Sequence, residues 1–506
     1  MTFQRTAGWL LLLAAALPAL LACKPQLEAE YPNAVVSKAP NLGPSFVAGT
    51  YFSLAPYDYV EQEYFFRGEA RSYVNTAPLT SDGKWSVEPA ATAQYNTRML
   101  VYRPQNPEDF NGTVVVEWLN VTGGVDTATD WLMLHNEILR RGYAWVGIST
   151  QRICVEGGEP PLPTPLGFSI PLKLINILRY ATLSHPGDSF SYDIFSQAAR
   201  AIRNPVGEAP LGDLQVERLI AAGESQSATR LLTYANAFEP TEDLFDGYFI
   251  HSRLGFIPDF GGASAPLSQA PQEYITTPEV VTVRDDLGKP VLNLQTETDL
   301  FKLGAYSSRQ PDSPGFRLWE VAGTAHADLY LTTAGGLDQG KVAAAKIYET
   351  YNPSLVMGFC PDPINTAPQH HFLGHAALHA LNQWLINGTP PPSAPRLLVN
   401  ASEDAIERDS LGNAIGGVSS PYMDVPVALM SGDNSSEQNE SDICFLFGET
   451  RFFDRATLNS LYAGKAHYVA AVTDSALQAV ADGYLMAEDA DLIIAAAEAT
   501  TLFDPE

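Results

Sequence analysis

Hydrophobic and polar positions change rhythm along the chain. From Pro44 to Val101, short runs of β-formers such as 59–66 and 95–102 alternate or cluster between turn residues, the pattern of antiparallel strands. From Thr113 the texture becomes apolar strands separated by helix-length segments, as expected of a parallel sheet covered on both faces. Strands are predicted over 113–118, 143–149, 218–222, 247–251, 291–296 and 316–321, and helices over 127–141, 189–203, 226–237, 340–350 and 376–386. Two stretches interrupt this order: 152–187, which contains the apolar piece 170–178, and 254–287, rich in Pro, Gly and Thr. Insertions of this kind are where a cap over a site is built, or they elaborate the surface. The break Asn387-Gly388-Thr389-Pro390-Pro391-Pro392 closes an α/β body over 44–392, and 393–506 follows as a C-terminal extension expected to pack on it.

The N-terminus has a different pattern. Arg5 precedes an apolar run from Trp9 to Ala22 broken only by Pro18, too short for the roughly 20 residues that span a hydrocarbon core. Residues 1–22 therefore read as an export signal. The run ends Leu20-Leu21-Ala22-Cys23 without a small-x-small cleavage pair, which resembles the lipobox of bacterial lipoproteins and makes Cys23 the expected lipidated first residue. Residues 23–43, polar and proline-bearing, read as a tether, and the mature protein is expected in the cell envelope, held to a membrane by its lipid.

Composition narrows the field. The 506 residues carry 58 acidic against 30 basic side chains, a formal charge of -28, and the 22 Tyr, 23 Phe and 7 Trp belong to a folded body. Such a field repels nucleic acid and anionic headgroups, so no nucleic-acid partner is expected. Export would mature Cys154, Cys360 and Cys444 in an oxidising space; three thiols allow one bridge, expected between Cys360 and Cys444 in loop-like stretches.

Candidate chemistry lies at strand ends. The strand 216–222 runs into Gly223-Glu224-Ser225-Gln226-Ser227, with a helical pattern following at once, the context of a nucleophile elbow. Ser227 replaces the usual second glycine but keeps the position small; as a rival nucleophile it lies inside the helix. A serine needs a base, normally a histidine held by a carboxylate. The next strand exits supply them in the order of a hydrolase: Glu297-Thr298-Asp299, then His326. Asp299 is the preferred acid and Glu297 the alternative. Oxyanion donors are expected from the backbone of Gln226 and of Val121, or Asn120 beside it, in the loop after the 113–118 strand.

The stretches Asn111 to Val121, Ser184-His185-Pro186-Gly187-Asp188-Ser189, Gly223 to Ser227 and Ala322-Gly323-Thr324-Ala325-His326-Ala327-Asp328 resemble a bacterial family of alpha/beta hydrolase domain proteins, from about residue 45 nearly to the C-terminus. The resemblance implies the alpha/beta-hydrolase fold and a Ser-His-acid triad, and says little about substrate. The expected protein is thus an exported, lipid-anchored serine hydrolase of small carboxylic esters that needs no cofactor. An amidase or peptidase using the same residues, or a noncatalytic envelope binding protein on this scaffold, is the alternative. His371, His375 and His379 recur every four residues beside His370, but Phe372 stands where a zinc helix needs glutamate, so packing rather than a metal site is expected. His185 and Asp188 lie in a loop that could border a pocket.

Overall fold

A computed structural model describes residues 33–158, 168–255, 278, 280–350, 360, 363–434 and 443–504. Its centre is a ten-stranded sheet. In chain order the strands are β1 (Val35–Lys38), β2 (Tyr59–Asn75), β3 (Val87–Pro104), β4 (Thr113–Trp118), β5 (Ala144–Ile148), β6 (Val206–Gly207), β7 (Arg218–Glu224), β8 (Gly247–His251), β9 (Val291–Thr296) and β10 (Phe316–Val321). Their order across the sheet is β10-β9-β8-β7-β4-β5-β3-β2-β1-β6. From β10 to β5 all neighbours are parallel; β3 pairs antiparallel with β5, and β2 with β3. The six predicted parallel strands fall where the apolar runs lie because both faces are covered, so each strand reads as an uninterrupted hydrophobic run. Within β4, Val114 and Val116 enter the core under helices Ser191–Arg203 and Gln226–Ala237, while Val115 enters the opposite core under Thr129–Arg141 and Gln369–Asn387.

Several elements depart from the sequence pattern. The expected short antiparallel runs are two strands of 17 and 18 residues, because the outer part of the hairpin, around Glu88 to Thr92, is exposed and lacks hydrophobic alternation. The tether expected to reach residue 43 gives way earlier: β1 pairs with β2 and β6, since Ala34 and Val36 bury into the core. Residues 1–32, including the export signal and Cys23, lie outside the described residues. The helix predicted over 340–350 is two short ones, Val342–Ala345 and Ile347–Thr350. The helix predicted from 376 starts at Gln369, because Gln369, His370 and His371 are polar yet buried.

Among the described residues the C-terminal extension carries the short helix Pro421–Asp424, the two-stranded pair Ala428–Ser431 and Glu449–Phe452, and the helices Arg455–Leu461, Lys465–Asp482 and Ala487–Glu498. It shares a core with the α/β body through Tyr348, Phe372, Tyr422, Tyr468 and Ile493. Asp489 fastens the last helix by accepting two hydrogen bonds from Arg140, at 2.6 and 2.8 Å. Cys360 and Cys444 are joined as a disulfide across 84 residues of sequence, and Cys154 is a buried free thiol.

Candidate active site

β7 delivers Ser225 on a tight turn. Its backbone has φ 61° and ψ -120°, a region a non-glycine residue occupies only under constraint, before the helix Gln226–Ala237 begins. The turn is held by Ser225 N–H donating to the His251 carbonyl at 2.9 Å and by Thr229 N–H donating to the Ser225 carbonyl at 3.1 Å. Gly223 explains why Ser227 fits: a Cβ at Gly223 would come within 3.1 Å of Ser227 and 3.0 Å of Leu231. Small residues on both sides let strand and helix pack closely. Ser227 itself is fully buried in the helix and does not line the cavity described below.

β9 and β10 bring the other two side chains to the same place. His326 Nε2 lies 2.8 Å from Ser225 Oγ, and His326 Nδ1 lies 2.6 Å from Asp299 Oδ1. Asp299 is fixed by a capping box, its Oδ2 accepting Thr296 N–H at 2.7 Å. Burial pushes the Asp299 carboxyl up, but the charge and hydrogen bond of His326 and the Thr296 N–H hold it below the usual carboxylate range. Burial pushes His326 down; Asp299 and Glu224 more than reverse this, so the imidazole lies above its ordinary value.

Glu297, the alternative acid, points elsewhere. Its Oε1 accepts Gly323 N–H at 2.6 Å, and its Oε2 accepts Gly432 N–H and Arg408, both at 3.1 Å. It ties the histidine loop to the C-terminal extension. Asn120 is likewise removed as a backbone oxyanion donor, because its N–H donates to the Thr127 carbonyl at 2.9 Å. Its side chain donates instead to the Glu224 carbonyl at 3.1 Å and to Glu224 Oε2 at 3.2 Å. Val121 follows in the same loop, and Gln226 opens the helix at its positive end. That loop rests on Asp126, which accepts from fully buried Arg98 at 2.8 Å and from Ser149 at 2.5 Å.

A cavity of about 410 Å³ opens above Ser225 and His326, walled mainly by Leu132, Leu254, Leu303, Leu331, Phe445, Leu446 and Phe447, with Tyr51, Thr122 and Gly123 at its edges. Phe445 to Phe447 come from the C-terminal extension, and no local sequence pattern predicts their place here. They follow Cys444 of the disulfide and are docked by Ala327 N–H donating to the Leu446 carbonyl at 2.9 Å. Among the described residues, insertion 152–187 supplies no wall; it packs on Phe65 through Val155, Leu172 and Tyr180. His185 Nε2 donates to the Thr150 carbonyl, and Asp188 accepts from Arg152 N–H, both away from the cavity.

The sheet order, in which the parallel strands follow the chain toward one edge from β7 to β10 and toward the other from β4 to β5, with the serine at the C-terminal end of β7, is that of the hydrolase fold. The sequence profile of the alpha/beta hydrolase domain family matches residues 30–495. The chain belongs to that family. Comparison with curated proteins finds no match. Among solved structures, this hydrolase is similar to fungal esterases from Rhizomucor miehei, at 13% identity over 52% of this chain and 77% of theirs, with a TM-score of 0.29. It is also similar to the carboxylesterase Cest-2923 from Lactobacillus plantarum, at 12% identity over 47% and 75%, with a TM-score of 0.26.

The clustered histidines of the hydrolase each have a separate partner. His371 stacks on Tyr330 with ring centroids 3.6 Å apart, His375 Nδ1 contacts Asp489 at 2.8 Å, and His379 Nδ1 contacts Glu137 at 3.2 Å. His370 belongs to a buried chain: Asp130 Oδ1 to His251 Nδ1, 2.9 Å; His251 Nε2 to His370 Nε2, 2.8 Å; His370 Nδ1 to Asp328 Oδ2, 3.0 Å.

Proposed function

We propose that this protein is a serine hydrolase that cleaves carboxylic esters through an acyl-enzyme. The observation that carries this reading is the Asp299–His326–Ser225 chain of hydrogen bonds, ending on a hydroxyl at the floor of an apolar cavity. Ser225 Oγ attacks the ester carbonyl as its proton passes to His326 Nε2. The backbone N–H groups of Gln226 and Val121 receive the oxyanion, each donor contributing roughly 3 kcal/mol to the transition state. Collapse breaks the ester C–O bond, and the alcohol leaves with the proton from Nε2. Water then attacks the acyl-Ser225 carbonyl, gives its proton to Nε2, and the acid is released with Ser225 restored. Asp299 fixes the imidazole tautomer throughout. The apolar walls favour uncharged substrates.

The protein is also proposed to be exported and held at a membrane by acylated Cys23. Arg5, the apolar run to Ala22 and Cys23 support this, and among the described residues no helix is long and apolar enough to cross a membrane.

A fluorophosphonate should label Ser225 in the mature protein and fail to label Ser225→Ala; a well-folded wild type that stays unlabelled refutes the enzyme. Mass spectrometry of the mature N-terminus should find acylated Cys23, and an unmodified terminus at another residue refutes the anchor.

A further inference from the structure

Glu224 is a buried carboxyl beside the nucleophile to which the chemistry above assigns no task. It ends β7, is 3% exposed and lines the cavity. Asn120 holds Oε2 from one side. Among the described residues Oε1 has no hydrogen-bond donor, yet it lies 3.4 Å from His326 Nε2, the nitrogen that faces Ser225 Oγ. One carboxylate on the histidine, at Nδ1, suffices for a Ser-His-Asp mechanism. Here a second carboxyl approaches the opposite nitrogen.

We infer, resting on the serine-hydrolase reading, that Glu224 is a second carboxyl of the catalytic base and that its ionisation sets the proton affinity of His326 from the Nε2 side. When Ser225 gives up its proton, the imidazolium places positive charge 3.4 Å from Oε1. Ionised Glu224 stabilises that charge, whereas protonated Glu224 does not. The proton on Nε2 still leaves with the alcohol, so Glu224 contributes charge and transfers no proton. Glu297, which only fastens the histidine loop, uses both oxygens as acceptors. Glu224 spends one on Asn120 and turns the other to the base.

The surroundings make this ionisation accessible. Burial, opposed by His326 on the loop after β10 and reinforced by Asp130 from the helix Thr129–Arg141, Asp299 after β9 and Glu117 on β4, leaves Glu224 pushed up to about 8. The carboxyl therefore changes charge in the range where a serine hydrolase is assayed.

The test is the pH dependence of fluorophosphonate labelling of Ser225 in the mature chain, with circular dichroism to verify folding. Wild type should show two ionisations. Glu224→Gln, which keeps an acceptor for Asn120, should show one, with its limiting rate lowered about tenfold, the equivalent of one pKa unit. Asn120→Ala should keep both and move one of them upward, because Oε2 loses its donor; this variant carries the test should the glutamine variant fail to fold. A glutamine variant that retains both ionisations, or loses rate equally at every pH, overturns the inference while leaving the serine-hydrolase reading intact. Absence of labelling in wild type overturns both.

Discussion

Two buried carboxylate–histidine chains meet near the C-terminal ends of the central strands, and only the one built on His326 reaches a serine and a cavity. The other, Asp130–His251–His370–Asp328, has four side chains with no exposure, and its two imidazoles face each other at 2.8 Å. The chains share chemistry and neighbourhood: His251 offers its carbonyl to the Ser225 amide, and Asp328 lies two residues past His326. What differs is where the proton can go. His326 Nε2 points to a hydroxyl that can attack a substrate, while His251 Nε2 points to another ring that needs one hydrogen between them and has no other outlet. A histidine–carboxylate pair is thus no site by itself. In the sealed chain it joins the helix Thr129–Arg141, β8, the helix Gln369–Asn387 and the histidine loop behind the elbow.

The sharpest way to break this comparison is to remove one carboxylate at a time. Asp299→Asn should lower kcat/KM on a short ester by ~10⁴-fold, because the imidazole loses its tautomer and the partner of its charged form. Glu297→Gln should cost less than about tenfold in the folded enzyme and instead reduce stability by about 2 kcal/mol in a urea titration, since one of the two oxygens that accept from Gly323, Gly432 and Arg408 becomes an NH2 donor and the charge facing Arg408 is lost. The opposite ranking would transfer the acid role to Glu297. His370→Gln tests the sealed chain. A loss of about 3 kcal/mol of stability is expected, from a buried Asp328 left without its partner, with kcat/KM of the folded protein within about tenfold of wild type. A kinetic loss as large as that of Asp299→Asn would make the second chain part of the mechanism.

The open chain was legible in the sequence and the sealed one was not, for a physical reason. Ser225, Asp299 and His326 each follow an apolar strand whose run of buried residues marks its own end, so their convergence follows from the rule that such strands are parallel and adjacent. Asp130, His251, His370 and Asp328 carry no such punctuation. His370 stands in a first helical turn with Gln369 and His371, polar residues outside the predicted helix that are buried because each finds a partner. The cavity wall was illegible for the same reason. Phe445 to Phe447 belong to a short segment whose position depends on a disulfide to Cys360 and a hydrogen bond to Ala327, contacts made across tens of residues or more with no local pattern. Glu297 and Asp299 stand two residues apart in one helical turn, and the capping box fixes Asp299 as the one that turns toward His326.

A third carboxylate–histidine pair sharpens the contrast between chemistry and fastening. Asp489 accepts from Arg140 and contacts His375, and against the cost of burial these partners hold its carboxyl well below the usual range. A depressed folded-state pKa adds stability that is fully present above the unfolded value of about 4 and is lost as pH falls toward the folded value. Asp489→Asn should therefore cost about 3 kcal/mol near neutrality, with the gap to wild type narrowing below about pH 4. Denaturant titrations across that range check it. Activity at neutral pH should survive in the folded fraction, because the last helix contributes no cavity wall among the described residues.

The smallest effect probes what separates the open chain from the others, the cavity itself. Phe447 is buried and lines the cavity above Ser225 and His326. Phe447→Ala enlarges an apolar space without touching the proton path. A methylene more or less in such a pocket is worth about 1–3 kcal/mol of discrimination. Across a series of esters differing in acyl length, the variant should favour longer chains than wild type by roughly tenfold in relative kcat/KM, while the rate of fluorophosphonate labelling keeps its pH dependence. If preference stays fixed and the pH dependence moves, the wall acts by holding Ala327 and hence His326, and the C-terminal extension positions the base rather than the substrate.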